Sequence, residues 1–287
     1  MSVPSTAAPR GTSRSRRRAF VRVKHHLLTT YAMLVIGYLM LPIAVVILFS
    51  FNEPEGRFNY VWQGFTFDNW ANWDAPIGLR ESMITSLEIG VLSTVVATIL
   101  GTMIALAIVR HHFRGRASSN VLVFLPMSTP EIVLGASLLA LFIQQTGIFV
   151  IGFWTIFIAH VMFIVSYIVV TVKARLIGFD RHLEEAAADL GADELTTFRK
   201  VTFPLIAPAM LAASLLGFAL SIDDFVITYF VAGGEQTFPV YVWGIARVAT
   251  PPQVNVVASA IFLVAIAVAL GNVLWQYRSS RRQRGAA

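Results

Sequence analysis

Cysteine is absent from all 287 residues. That excludes disulfide staples, thiolate metal sites and cysteine nucleophiles. Charge is scarce too: Asp, Glu, Lys and Arg make up 13% of the chain, against 56% hydrophobic residues and a mean hydropathy of +0.69. A soluble domain of this length needs a far more polar surface, so the composition points to a membrane protein. Lysine is nearly missing, with only Lys24, Lys173 and Lys200, and none of them closes a G-x-x-x-x-G-K-[ST] phosphate loop. No nucleophile–base pair or metal-ligand constellation stands out either, so neither chemistry on a solute nor a bound cofactor is expected of this chain. Internal repeats are missing, and the Arg/Ser-rich start is the one low-complexity segment.

What the chain does have is long apolar runs. Windows of about twenty residues or more suffice to cross roughly 30 Å of hydrocarbon as helices. They lack the two-residue alternation of barrel strands, and lipid leaves no other partner for backbone polar groups. The reading is an all-α integral membrane protein with spans near 28–51, 83–109, 119–143, 149–172, 206–231 and 255–277. Asp223 and Asp224 interrupt the fifth.

Basic residues orient these helices. Nineteen of the 22 Lys and Arg fall before Leu28, in the second and fourth connections, or in the tail, leaving only Arg57, Arg80 and Arg247 opposite. The positive-inside rule then places both termini in the cytoplasm, which requires an even number of spans; six fits. The organisation is a basic cytoplasmic tail over 1–27, a transmembrane domain over 28–277 and a second basic tail over 278–287. A pI near 10.0 is thus a matter of topology and anionic headgroups, not of nucleic-acid binding. Arg17-Arg18-Ala19-Phe20-Val21 is partly like a twin-arginine export signal. The apolar run after it is long and has no small-residue cleavage site, so a retained first helix is expected. The His25-His26 and His111-His112 pairs splay apart on a helix, which argues against metal binding. His160, in mid-span, is expected to make a neutral interhelical hydrogen bond.

The connection over about 173–207 is polar yet patterned for structure. Glu184-Glu185-Ala186-Ala187-Ala188 favours a helix, Gly191 stops it after Leu190, and Asp193 caps a second short helix running through Thr196, Phe198 and Lys200. Pro204 and Pro208 mark the start of the fifth span. A helix–turn–helix knob on the cytoplasmic side is expected.

Glu185-Ala186-Ala187, Gly191 after three intervening residues and Val201-Thr202-Phe203-Pro204 after nine more resemble the EAA motif of ABC-importer permeases. The family form has isoleucine and leucine where Val201 and Phe203 stand, and both changes keep apolar bulk. The resemblance implies the type I importer permease fold. It also implies that Glu185, Ala186, Ala187, Gly191, Val201, Phe203 and Pro204 belong to a coupling helix docking on an ATP-binding subunit. A second homologous permease, two ATP-binding subunits that use ATP and Mg, a periplasmic solute-binding protein and a place in the bacterial inner membrane follow from the same resemblance.

Further stretches, over roughly 30–277, look like the second permease of spermidine/putrescine importers: Leu41-Pro42 with Phe49-Ser50-Phe51-Asn52, Pro130–Gly135, and Ser221-Ile222-Asp223-Asp224-Phe225-Val226-Ile227-Thr228. The residues point the same way independently. The ionisable groups well inside spans are Glu88, Glu131, Asp223 and Asp224, all acidic, and such groups usually line a pathway. Carboxylates without fixed cationic partners suit a polycation, whereas an anion wants Arg, Lys or helix N-termini. Each has a structural alternative. On a helix the two Asp point about 100° apart, so at most one faces a given solute, and the other caps a broken helix or bonds a neighbouring hydroxyl. Glu131 serves equally to satisfy backbone freed by a kink at Pro126 and Pro130, and Glu88 equally lies at the interface. Phe225 and Tyr229, with Trp154, Phe163 and Tyr167, are candidates for cation–π contacts along the path. The acidic, aromatic connection 52–81 attracts a cation, receives a binding protein or covers the interface. The same machinery for iron, an opine or an aminophosphonate is the alternative within the class; outside it stands an ion-coupled secondary transporter.

Overall fold

The computed structural model describes residues 12–144 and 149–284. Of the basic tails, residues 1–11 and 285–287 lie outside the described residues. The described chain is helical and has two compact units, one made of its two ends and one of residues 74–249.

The first unit holds α1 (Thr12–Phe49), the short α2 (Asp68–Ala71) and α12 (Pro252–Arg284). Helix α1 carries the apolar stretch Leu27–Phe49, whose side chains are largely exposed, as in a helix facing lipid or other subunits. It packs against α12, whose apolar part spans Pro252–Val268. Between α1 and α2 the chain folds around one buried amide. Asn52 donates from Nδ2 to Asn59 Oδ1 (2.6 Å) and to the Val61 carbonyl (2.8 Å), and its Oδ1 accepts from Gln63 N (2.8 Å). Asn69 donates to the Ser50 and Asn52 carbonyls, and Trp70 Nε1 to Ser50 Oγ. Above this hub Phe51 stacks on Phe65 and Trp70. Phe49-Ser50-Phe51-Asn52 therefore organises the connection between α1 and α2, where the buried side chains of Ser50, Asn52, Asn59 and Asn69 all have partners.

The second unit is built on α3 (Leu79–Arg110), α6 (Phe153–Ile177) and α9 (Phe203–Asp223), each packed on the other two. Helix α6 lies innermost, with Ile156, Ala159, Ile164, Ile168, Val169 and Val172 all buried. Small residues let the helices approach closely. A Cβ on Gly101 would stand 2.7 Å from Ile168 Cγ2, and one on Gly217 2.6 Å from Ile164 Cγ2.

The expected third span does not run straight. It is α4 (Arg116–Ser128) and α5 (Glu131–Gln144), meeting at 106°. Pro130 has no N–H to donate and pushes Thr129 into an extended conformation (φ −80°, ψ 132°). At 13 and 14 residues each piece is only about 20 Å long, too short to cross alone. Among the described residues four helices are long and apolar enough to cross a membrane, and five if the bent pair is one span. Glu131, expected in mid-span, is the first residue of α5 at this bend, where a helix N-terminus favours a carboxylate.

The fifth span breaks as its Asp pair suggests. Helix α9 ends at Asp223, Asp224 is extended (φ −65°, ψ 117°), and α10 (Val226–Val231) follows, then α11 (Phe238–Ile245). On its other side α9 is continuous with the knob of the next section, so Pro204 does not interrupt the chain's path into this span. A π-helical turn over Phe198–Thr202 precedes it, with Phe203 N bonding the Phe198 carbonyl. The wider register removes the clash that a proline ring otherwise makes with the carbonyl four residues back.

Candidate functional site

Two regions of the second unit gather the residues singled out in the sequence. The first is the knob, formed by α7 (His182–Asp189), α8 (Glu194–Thr197) and the π-helical turn. Helix α7 ends in a Schellman motif: Gly191 N bonds the Ala188 carbonyl (2.8 Å) and Ala192 N the Ala187 carbonyl (3.0 Å). Gly191 takes φ +85°, which a side chain disfavours. Asp193 then caps α8, accepting from Thr196 N at 3.2 Å, and hydrogen bonding from the Thr196 side chain and backbone holds its carboxyl below the usual range.

Glu185, Ala186, Gly191 and Pro204 are exposed, while Ala187 and Val201 are half-buried. Leu190 is 90% exposed, and Leu183, Leu195 and Phe203 are exposed around it. An apolar, small-residue face with a carboxylate at its edge is suited to docking against another protein. What holds the knob was not legible in the chain. Arg110, the last residue of α3, donates from Nη2 to Glu184 Oε1 at 2.7 Å and lies 5.2 Å from the centre of the Phe179 ring. Thr202 Oγ1 donates to the same Glu184 oxygen, and Arg181 Nη2 donates to the Val109 carbonyl (2.9 Å). The knob is thus clamped to the end of a spanning helix.

The second region is the α9–α10 break. It separates the two aspartates, which a continuous helix would only have rotated apart. Asp223 is exposed at the carbonyl end of α9, and no described hydrogen bond joins its side chain to another residue. Asp224 is 9% exposed and caps α10, accepting from Thr228 N (2.8 Å), Thr228 Oγ1 (2.8 Å) and Ile227 N (3.4 Å). His160 of α6 completes the cage. Its Nε2 lies 2.9 Å from Thr228 Oγ1 and 3.3 Å from Asp224 Oδ2, and its Nδ1 lies 2.7 Å from Ser221 Oγ. Ser93 of α3 stands 3.3 Å from Ser221. The interhelical role expected for His160 is present, but its connection to Asp224 was not legible, because 64 residues separate them.

Phe225, two residues after Asp223 in the chain, forms an aromatic cluster with Tyr229 and Trp243, at centroid distances of 5.4 and 5.2 Å. Tyr229 is 57% exposed, and the Arg247 guanidinium already sits 5.0 Å above Trp243. Trp243 was missed in the sequence; it is one of six tryptophans, and only the fold places it here. The other aromatic candidates go elsewhere: Phe163 is buried, packed with Tyr167 at 5.2 Å, and Trp154 is exposed beside Phe157 at the start of α6. Glu88 is exposed on α3 and Glu131 exposed at the α5 start, and no described hydrogen bond gathers either with Asp223. No group of three or more His, Asp or Glu that could hold a metal occurs among the described residues.

Residues 89–284 match the family described as the binding-protein-dependent transport system inner membrane component. The chain is 36% identical over 239 residues to the spermidine/putrescine transport system permease protein PotC of Haemophilus influenzae, covering 83% of this chain and 91% of that protein. It is 37% identical over 243 residues to the Escherichia coli PotC, covering 83% and 89%. With the E. coli putrescine transport system permease protein PotI it shares 34% over 257 residues, covering 86% and 88%. Among solved structures, a bacterial ABC transporter involved in the import of the acidic polysaccharide alginate has a chain that superposes with a TM-score of 0.61. The identity is 17%, and the match covers 94% of this chain and 99% of that one. The same kind of fold recurs, at a TM-score of 0.62 and 16% identity over 90% of this chain and 94% of that one, in the bacterial alginate ABC transporter in complex with an alginate pentasaccharide-bound periplasmic protein.

Proposed function

This chain belongs to the family of binding-protein-dependent transport system inner membrane components, and we propose that it is a permease subunit of an ATP-driven importer that carries polyamines, spermidine or putrescine, into the cytoplasm. The observation that carries the solute class is Asp223. It is an exposed carboxylate at the carbonyl end of α9, two residues before Phe225 of the Phe225–Tyr229–Trp243 cluster. The dipole of a helix C-terminus favours a cation, an unshared carboxylate neutralises one, and ring faces bind ammonium groups. The names of the relatives, which concern spermidine and putrescine, agree with that chemistry.

In this reading the chain sits in the bacterial inner membrane with both basic tails, 1–27 and 278–287, in the cytoplasm and six crossings between them. It pairs with a second, homologous permease around one path. Two ATP-binding subunits, which bind ATP and Mg, dock on the knob through Glu185, Ala186, Ala187, Leu190 and Gly191, and a periplasmic binding protein delivers solute from outside. Closing of the ATP-binding pair moves the knobs, and the clamp at Arg110 passes that motion to α3 as a rigid-body shift. Asp223, Phe225 and Tyr229 serve the outward-opened path, and Glu131 and Glu88 line its flanks.

The test is uptake by the reconstituted assembly. Vesicles containing both permeases and the ATP-binding subunits, supplied with binding protein, should accumulate labelled spermidine or putrescine only with ATP inside, and an uncoupler should make no difference. Uptake that follows a proton gradient without ATP would sink the reading, as would accumulation of anionic solutes alone.

A further inference from the structure

We propose that His160 is a positioning residue for the α9–α10 break, acting through Asp224 and Thr228 so that, of the two adjacent aspartates, Asp223 is the one presented to solute. The inference rests on the reading of this region as part of the solute path. It starts from a geometric fact about a single ring. Ser221, bonded to Nδ1, lies before the break, and Thr228, bonded to Nε2, lies after it. The imidazole therefore fixes the direction of α10 relative to α9, and it does so from a different helix. His160 is itself 1% exposed and Thr228 0%, so water is not available as a substitute partner.

Proton placement supports the assignment. The Thr228 hydroxyl hydrogen goes to Asp224 Oδ2, and the same carboxylate oxygen lies 3.3 Å from Nε2. A bare Nε2 would set lone pairs against both oxygens, so Nε2 carries a hydrogen and donates. Asp224 thereby gains a donor-bearing neighbour from α6 beyond the two backbone N–H groups and one hydroxyl of its own segment. A carboxylate withdrawn from water is tolerated when its lone pairs are used in this way. Asp223, one residue earlier, has no such cage. Removing His160 takes away the tie across the break. Asp224 then loses its reason to stay inside, and α10 its fixed direction.

The absence of cysteine makes the test clean. Single cysteines, Asp223→Cys on the exposed side and Ile227→Cys on the buried side, are labelled in the assembled transporter with a membrane-impermeant cationic methanethiosulfonate. With His160 intact, position 223 should label and position 227, 0% exposed, should not. In His160→Ala the reagent should reach position 227, and His160→Gln, which offers a donor and an acceptor to the same hydroxyls, should restore protection. In uptake assays with Asp223 in place, His160→Ala should raise KM for the polyamine by about tenfold while Vmax stays within about twofold, and His160→Gln should recover most of that loss. Unchanged labelling and KM in His160→Ala would overturn the proposal. So would a fall in Vmax alone, or a Gln variant no better than Ala. Should His160→Ala fail to assemble, Thr228→Val removes the tie from the other side, and the labelling and uptake are read there against the same expectations. If the wild-type assembly takes up no polyamine, the solute reading fails, whereas the labelling arm still tests the role of His160.

Discussion

Arg110 and Glu184 meet at 2.7 Å, joining the last residue of a spanning helix to the first turn of the knob. Both side chains are mostly covered, at 15% and 22% exposure, so solvent screens the pair less than it would an open surface bridge. Arg110→Ala should loosen α7 and α8 by about 1–2 kcal/mol, read as roughly tenfold faster amide exchange over 182–202. The exchanged pair, Arg110→Glu with Glu184→Arg, should recover part of that protection, and coupled uptake with it. Exchange unchanged in Arg110→Ala would show that the clamp lies elsewhere.

At the tip of the knob, Gly191 holds φ +85° with open space where a Cβ would go. The obstacle to a side chain is therefore backbone strain, on the order of 1 kcal/mol for Gly191→Ala. Gly191→Pro also removes the N–H that bonds the Ala188 carbonyl. We expect Gly191→Pro and Glu185→Lys to insert normally and to hydrolyse ATP with partners present, without coupled uptake. Full uptake in either variant would contradict the docking role.

The two aspartates should give opposite phenotypes. Asp223→Asn should abolish polyamine uptake and leave the melting temperature in detergent unchanged. Asp224→Asn should lower that temperature, by an amount corresponding to about 1–3 kcal/mol, because one caging donor then faces an amide N–H2. Equal behaviour of the two variants would remove the distinction between a presented and a caged carboxylate.

Helix contact in the second unit depends on Gly217, where a Cβ would stand 2.6 Å from Ile164 Cγ2. Gly217→Ala should cost about 1–3 kcal/mol by overpacking. Ile164→Val, which trims the opposing side chain, should lessen that cost in the double variant, since contacting sites are not additive. Thermal unfolding in detergent checks both.

On the exposed approach to α7, His182 Nδ1 and Asp180 Oδ1 lie 2.7 Å apart. That hydrogen bond, with the charges of Asp180 and Glu185, raises the imidazole above its ordinary 6.5; the same bond, with the one from the His182 backbone N–H, holds Asp180 below 3.8. The His182 contribution is complete below 6.5 and is lost as pH rises through its raised value. The Asp180 contribution is complete above 3.8 and is lost as pH falls through its lowered value. Both are therefore fully made between those ordinary values. Asp180→Asn should move the His182 titration, followed by NMR, downward, and no movement would refute the pairing.

Much of this protein is local, and so it was legible in the chain. Long apolar windows specify membrane helices because lipid admits little else, and Pro130 and the Asp pair mark where two of them break. The knob follows from Ala-rich propensity, a left-handed Gly191 and the Asp193 cap, each acting within four residues. The bend of 106° was not legible, since a proline permits a range of angles and packing chooses one. Reading it as a kink kept the third span continuous and left Glu131 in mid-span. Nor could the sequence separate Asp223 from Asp224. Neighbours of identical chemistry differ only in what surrounds them, and Asp224 is caged because α6 brings His160 across 64 residues. The same holds for Arg110 with Glu184 and for Trp243 beside Phe225. Composition and local patterning determined the helices, their breaks and the knob. Only tertiary packing decided which charged groups are spent on holding the fold and which, like Asp223, stay exposed.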